Sequence, residues 1–259
     1  MKLGVNIDHI AVLREARKIN DPNPLDALGV CKLCNVDQIT IHLREDRRHI
    51  HDQDAKNIIE LSSIPVNLEC SINDSIIDIV NTLKPHRATL VPENRAEVTT
   101  EGGLDLENNF EQIKKTIDSL HRHEIETSLF IDPDAKSIEL ASKLGASWIE
   151  LHTGAFANIY AMLFGGLKNT HHCIKELDLP RLTLQELLDD CILKLKQAAL
   201  YANSLGLKVA AGHGLNYQNV TLITSIDHVQ ELNIGQSIIA RSVFTGLEKA
   251  IKEMQELLK

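Results

Sequence analysis

Aromatic residues are scarce: Phe, Trp and Tyr make up only 3% of 259 residues, too few for a surface that stacks nucleic-acid bases. Positive charge is also short. Lysine and arginine number 27 against 36 acidic residues, a net charge of −9, so a phosphate backbone would be repelled and no nucleic-acid partner is expected. A small phosphorylated ligand stays open, because it needs only a local cluster of donors. No apolar run approaches the roughly 20 residues that span a bilayer. The opening Met1-Lys2-Leu3-Gly4-Val5-Asn6 turns polar too early for a secretory signal, so the expectation is a cytoplasmic protein without a membrane partner. The five cysteines show no disulfide spacing, which suits a reducing compartment. Cys31 and Cys34 form one Cys-x-x-Cys inside a helical pattern, with no second pair, and read as buried or incidental thiols. Neither a P-loop nor a dinucleotide glycine fingerprint occurs.

What the chain does have is alternation. Short Val/Ile-rich runs predict strands at Lys2–Asp8, Gln38–Leu43, Pro65–Glu69, Arg87–Glu93, Glu126–Asp132, Trp148–Thr153, Lys208–Gly212 and Val229–Gly235. Between them, apolar spacing near 3.6 predicts helices, as in Asp54-to-Leu61, Phe110-to-Leu120 and Leu187-to-Leu200. Gly145 and Gly206 each follow a helical stretch and precede a strand, where a left-handed residue turns the chain back. Eight such units with no break in composition predict a single (β/α)8 barrel over residues 1–259, with an extended connection around 155–184. A doubly wound open sheet is the alternative.

Strands buried on both faces should read as continuous apolar runs. Here one parity is repeatedly polar: Asn6 and Asp8; Thr40, His42 and Arg44; Asn67 and Glu69; Ser128 and Asp132; Glu150 and His152; Glu231 and Asn233. Inward polar groups are costly unless they hydrogen-bond one another or line a solvent- or ligand-filled mouth. The pattern therefore indicates either a site at the C-terminal ends of the strands or a buried polar network.

The densest cluster runs from His42 to His49. His42 and Arg44 share a face; an imidazole suits proton transfer near neutrality, and a guanidinium suits a phosphate. Glu69 ends the third strand, where partial desolvation would fit a carboxyl for acid–base work. Gly212-His213-Gly214 gives a histidine two flanking glycines, so backbone can approach a ligand while the ring carries a proton. Asn233-Ile234-Gly235-Gln236-Ser237 leads straight into a helix, the usual place for a barrel phosphate site. Val98 to Gly103 has the hydroxyls and paired glycines of a hinged lid, or of an ordinary turn. His49-Ile50-His51 and His121-Arg122-His123 have metal-pair spacing but fall outside the predicted strands, so no metal is expected. His171-His172-Cys173 reads as a solvated stretch or a subunit contact.

Several of these segments together resemble the pyridoxine 5′-phosphate synthase family: Gly4 to His9, His42 to His49, Asn67-Leu68-Glu69, Leu90-Val91-Pro92-Glu93, Val98 to Leu104, Ser128 to Asp132, His152-Thr153-Gly154, Ala211 to Leu215 and Glu231 to Gly235. The resemblance implies a (β/α)8 barrel with extra helices, assembled as a homo-octamer. It implies condensation of 3-amino-2-oxopropyl phosphate with 1-deoxy-D-xylulose 5-phosphate to pyridoxine 5′-phosphate, inorganic phosphate and water, with no cofactor or metal. It makes His42 and Glu69 proton acceptors and His213 the proton donor. Asn6, Gly214, Gly235 and Gln236 would hold the first substrate, and Asp8, His9, Arg17, Arg44, His49 and Thr99 the second. Two features depart from the family pattern: Gln236 stands where many members have histidine, and the 155–184 connection is longer.

A different single-substrate phosphosugar lyase or isomerase, and a non-catalytic binding scaffold, are the competing readings of the same residues.

Overall fold

In the computed structural model, which describes residues 1–93 and 102–259, the strands pair in chain order and close on themselves. They are β1 (Lys2–Asn6), β2 (Gln38–His42), β3 (Val66–Cys70), β4 (Arg87–Leu90), β5 (Glu126–Ile131), β6 (Trp148–His152), β7 (Lys208–Gly212) and β8 (Val229–Ile234). All are parallel, and β8 returns to pair with β1. The barrel reading holds and the open sheet falls. Each predicted strand appears: β7 with the predicted bounds, β3 moved one residue toward its C-terminal end, and the other six shorter. The first stops at Asn6 because Asp8 already opens a helix, and the fourth stops at Leu90, the last residue in register with β3.

The surrounding helices are α1 (Asp8–Glu15), α2 (Asp26–Leu33), α3 (Asp52–Leu61), α4 (Asp74–Leu83), α5 (Phe110–Arg122), α6 (Ala135–Leu144), α7 (Gly154–Leu163), α8 (Arg181–Ser204), α9 (Val220–Thr224), α10 (Gln236–Thr245) and α11 (Leu247–Leu257). Local chemistry sets their ends. Asp134 accepts the Ser137 amide at 3.0 Å to start α6, and Gly145, at φ +84°, ends it. The 155–184 connection is α7, two short 3₁₀ turns (Leu167–Asn169 and Lys175–Leu177) and the start of α8. Phe156, Tyr160 and Phe164, one turn apart, place their rings 6.2 and 5.0 Å from one another, and Arg181 lies over Phe164. Cys31 and Cys34 are buried in and beside α2, and burial pushes the Cys31 thiol up to about 12, as expected of inert thiols.

The ladder register settles which side chains face the axis. Leu3, Val5, Ile39, Ile41, Leu68, Ile149, Leu151, Leu232 and Ile234 face outward and are sealed under the helices, forming the main apolar core. The opposite parity splits by height. Toward the N-terminal end it forms a closed polar network: Arg87 Nη1 donates to Glu231 Oε1 at 2.7 Å, Gln38 Nε2 donates to the same oxygen at 3.1 Å, and the Arg87 guanidinium lies 3.9 Å from the Trp148 ring centre. Above this layer Asn233 donates to Glu150 Oε2 at 2.7 Å. Gly4 makes that layer possible, since a Cβ there would come within 2.0 Å of Asn233 Oδ1. Toward the C-terminal end the polar groups open onto a cavity. The two meanings of the polar parity are both realised, one above the other.

Candidate active site

His42, Glu69 and His213 come from β2, β3 and the end of β7, yet they line one cavity of about 330 Å³ at the C-terminal mouth. Asn6, His9, Glu150, Asn233, Gly214, Gly235 and Gln236 complete much of its wall. A larger cleft of about 570 Å³ lies outside the barrel between α6, α7 and α8; it is mostly apolar, and Asp132 and His152 are among the residues that line it. Among the described residues no group of three or more His, Cys, Asp or Glu side chains is arranged for a metal ion, and no helix is long and apolar enough to cross a membrane.

His42 is fixed from three sides. Its amide donates to Asp8 Oδ1 at 2.9 Å, its Nε2 lies 2.9 Å from Glu93 Oε1, and its Nδ1 lies 3.8 Å from Glu69 Oε2. Glu93 also accepts the Glu45 amide; although burial acts against its charge, the His42 contact and that amide hold it below its ordinary value. The His42 ring thus faces one firmly ionised carboxylate and one carboxyl of a different kind. Burial, with Glu150 and Asp8 nearby, pushes Glu69 well above the usual carboxylate range. Burial likewise lifts Asp8 to about 6, against the pull of His42 and Asn6, and lifts Glu150 to about 7, against its bond from Asn233. Three carboxyls with raised proton affinity beside one ionised carboxylate make a proton-exchanging wall.

The Glu150 shift has a measurable consequence. Folding raises its proton affinity, so its ionisation opposes the fold: the cost is absent below about pH 4.5, grows toward pH 7 and is complete above it. Glu150→Gln is expected to melt higher than the parent at pH 8 by up to about 3 kcal/mol, with the difference vanishing near pH 4. Melting curves across pH check this; a difference that did not depend on pH would contradict it.

His213 sits at φ +85°, a strained conformation for a side chain with a Cβ. The end of β6 holds it there, because the Thr153 hydroxyl lies 2.6 Å from both the Gly212 and His213 carbonyls. A Cβ on Gly212 would strike Glu150 Oε1 at 2.1 Å, so the carboxylate occupies space the strand vacates. Burial first, and His152 second, lower the His213 ring to about 4.

A second group gathers around His9, which lines the cavity, with His49 and Arg44 nearby but outside its lining. Burial lowers His9 and His49, and His9 Nδ1, His49 Nδ1 and Arg44 Nε are buried without hydrogen-bond partners among the described residues; Asp46 stands 3.5 Å from that Arg44 nitrogen. Unsatisfied nitrogens so close together suit an anion. Gly235 and Gln236 place the N-terminus of α10 at the cavity wall.

Not every predicted residue reaches the cavity. Asp8 is the first residue of α1 rather than part of β1, though its carboxylate still meets His42. Arg17 is exposed beyond the end of α1 and does not line the cavity. Thr99 and most of the predicted lid lie outside the described residues. Glu93 has a place the sequence reading did not give it. Its signal was available, because Arg87, Thr89, Val91 and Glu93 continue one parity.

The family model for pyridoxal phosphate biosynthesis protein PdxJ matches residues 3–259. Over 259 residues the chain is 70% identical to a pyridoxine 5′-phosphate synthase of Aliarcobacter butzleri, covering 100% of this chain and 99% of that one. It is 61% identical to the protein of that name from Sulfurovum sp., with both chains fully covered. Among solved structures it is similar in fold to 3-hexulose-6-phosphate synthase from Salmonella typhimurium, at TM-score 0.62, 12% identity and coverage of 100% and 98%. The phosphoribosylanthranilate isomerase of Thermotoga maritima superposes at TM-score 0.58 and 10% identity, with the same coverage.

Proposed function

The chain belongs to the family of pyridoxal phosphate biosynthesis protein PdxJ, the pyridoxine 5′-phosphate synthases, and from that membership we propose how this cavity closes the pyridine ring. The enzyme condenses 3-amino-2-oxopropyl phosphate with 1-deoxy-D-xylulose 5-phosphate, giving pyridoxine 5′-phosphate, inorganic phosphate and water. The amine attacks a ketone, water and phosphate leave, and carbon-bound protons are removed before the ring closes and becomes aromatic. The observation that carries the assignment of roles is the convergence of His42, Glu69 and His213 on one cavity.

Asn6, Gly214, Gly235 and Gln236 hold the amine-bearing phosphate, with α10 offering unpaired amides and the positive end of its dipole. At the start of that helix the backbone N–H makes the contact, so Gln236 in place of histidine leaves it intact. Asp8, His9, Arg44 and His49 hold the second substrate, the unsatisfied nitrogens of this group meeting its phosphate. Arg17 and Thr99 join that set on the family resemblance alone.

The cationic amine of the first substrate is drawn to the Glu69, Glu150 and Asp8 carboxyls. Its charge favours their ionised forms, so Glu69 becomes a competent acceptor as substrate binds. His42, held between Glu69 and Glu93, is the second acceptor and can pass its proton to the carboxylate beside it. His213 enters the cycle uncharged. It gains a proton once an anionic substrate faces it, and then donates that proton to the departing hydroxyl, which leaves as water. Excluding solvent from this mouth protects the imine and enamine stages.

Assembly as a homo-octamer in the cytoplasm is carried over from the family resemblance. The exposed Val243 and Phe244 at the end of α10 supply apolar surface that a subunit contact would cover.

Purified protein given both substrates is expected to release phosphate and build a pyridine chromophore, and to do neither with one substrate alone. Turnover of one phosphosugar without the amine would instead favour a lyase or isomerase.

A further inference from the structure

Next to His213 stands a second histidine that none of the steps above uses. His152 ends β6 and is 8% exposed. Its ring centre lies 5.1 Å from that of His213, edge to face, and 5.0 Å from that of Phe130. Two contacts define it. Nδ1 lies 3.2 Å from Asp132 Oδ1, and that carboxylate is held below its ordinary value, first by this contact. An ionised carboxylate only accepts, so the Nδ1 proton belongs to His152. Nε2 is buried and has no hydrogen-bond partner among the described residues. The chain leaves room for this arrangement at Gly154, where a Cβ would come within 2.4 Å of His152 Nε2 and 3.2 Å of His213 Cδ2.

We propose that His152, anchored by Asp132, is a positioning residue for His213, holding its ring in one orientation and keeping it uncharged until substrate arrives. This rests on the reading of His213 as the proton donor. The physical case is steric and electrostatic together. Backbone strain at His213 and the Thr153 hydroxyl fix where its Cβ points, but not the rotation of the ring. The His152 edge and Phe130 limit that rotation. A proton on His152 Nε2 would face a proton on His213 with no carboxylate between them, so one cation disfavours the other.

Among the described residues, the other ionisable groups around His213 are Glu150, on β6, and Glu69, His42 and His9 in the same cavity wall; the adjoining α7 offers Gly154 and Ala157. Behind His152, Asp132 and Asp134 from the end of β5 and Lys194 from α8 line the outer cleft. Asp132 also accepts the Gly103 amide at 3.1 Å, tying the same carboxylate to the segment that leads toward α5.

The test uses His152→Phe, which keeps a ring and removes both nitrogens, and Asp132→Ala, which frees the His152 ring at a half-exposed position. In full-length enzyme carrying ring-labelled histidine, the His213 midpoint is followed by NMR, alongside the pH dependence of kcat and KM. Both variants are expected to move the His213 midpoint upward from about 4 and to shift the acid limb of kcat with it. His152→Phe should lower kcat by up to about a hundredfold with KM changed by no more than about twofold. An unmoved His213 midpoint in the folded variants overturns the proposal, whatever happens to kcat, because a packing role that left the surroundings of the His213 ring unchanged would lower activity without moving that titration. If His152→Phe does not fold, Asp132→Ala decides. His213→Ala separates the two readings: if it keeps full activity, the donor role fails, while the coupling between the two rings is still read from the His213 titration in the parent and the two other variants.

Discussion

Glu69→Gln is expected to lower kcat by a factor of about 10² to 10⁴ while raising thermal stability at pH 8. The two effects have one origin. Glu69 is a carboxyl pushed far above its ordinary range by burial and by Glu150 and Asp8. Gln has the same shape, cannot take a proton, and removes a charge the folded protein resists at alkaline pH. Above the ordinary carboxylate pKa the folded state binds the proton that the unfolded state releases, so ionisation subtracts from stability as pH rises. Steady-state phosphate release and melting curves on one preparation read both effects. Activity within a few-fold of the parent would remove Glu69 from the list of acceptors, and a lower melting point at pH 8 would contradict the electrostatic account.

The largest expected loss of stability lies at the other end of the barrel. Arg87 is 7% exposed and Glu231 2% exposed, and each is the other's closest charged partner at 2.7 Å; Glu126 adds a contact to Arg87 at 3.2 Å. Arg87→Met leaves Glu231 in the barrel with only the Gln38 amide, so a loss of about 3–5 kcal/mol is expected. The double variant Arg87→Met/Glu231→Leu should recover most of it, because the cost comes from the orphaned charge rather than from the missing attraction. Urea unfolding of the parent, both single variants and the double variant completes the cycle. A single variant within about 1 kcal/mol of the parent would mean that water reaches Glu231.

Much of this architecture was legible because the two periods of the chain do different work. The outward parity, Leu3 and Val5, Ile39 and Ile41, Ile149 and Leu151, is apolar and buried. The inward parity is polar, and in a barrel its members must either satisfy one another or face a cavity. Sequence alone could not say at what height one use gives way to the other. Glu231 and Asn233, two residues apart on β8, show why: Glu231 closes the Arg87 network, whereas Asn233 holds Glu150 and lines the cavity. Register across the strands decides the matter, and register is set by all eight together. The departures from expectation are local. Asp8 fitted the strand alternation, but Asn6 Oδ1 accepts its amide at 2.9 Å and the chain turns there into α1. Arg17 came from a family pattern, and it stands exposed beyond the end of α1, outside the cavity lining formed by the described residues.

Asn233 and Glu150 are lodged in volume that Gly4 and Gly212 give up. Each polar group and its glycine therefore form a unit whose members cannot change independently. A lineage could enlarge position 4 or 212 only after the amide or the carboxylate had already shrunk, so the order of substitution at the heart of this barrel is prescribed by geometry. The reverse order passes through a protein whose strands can no longer close.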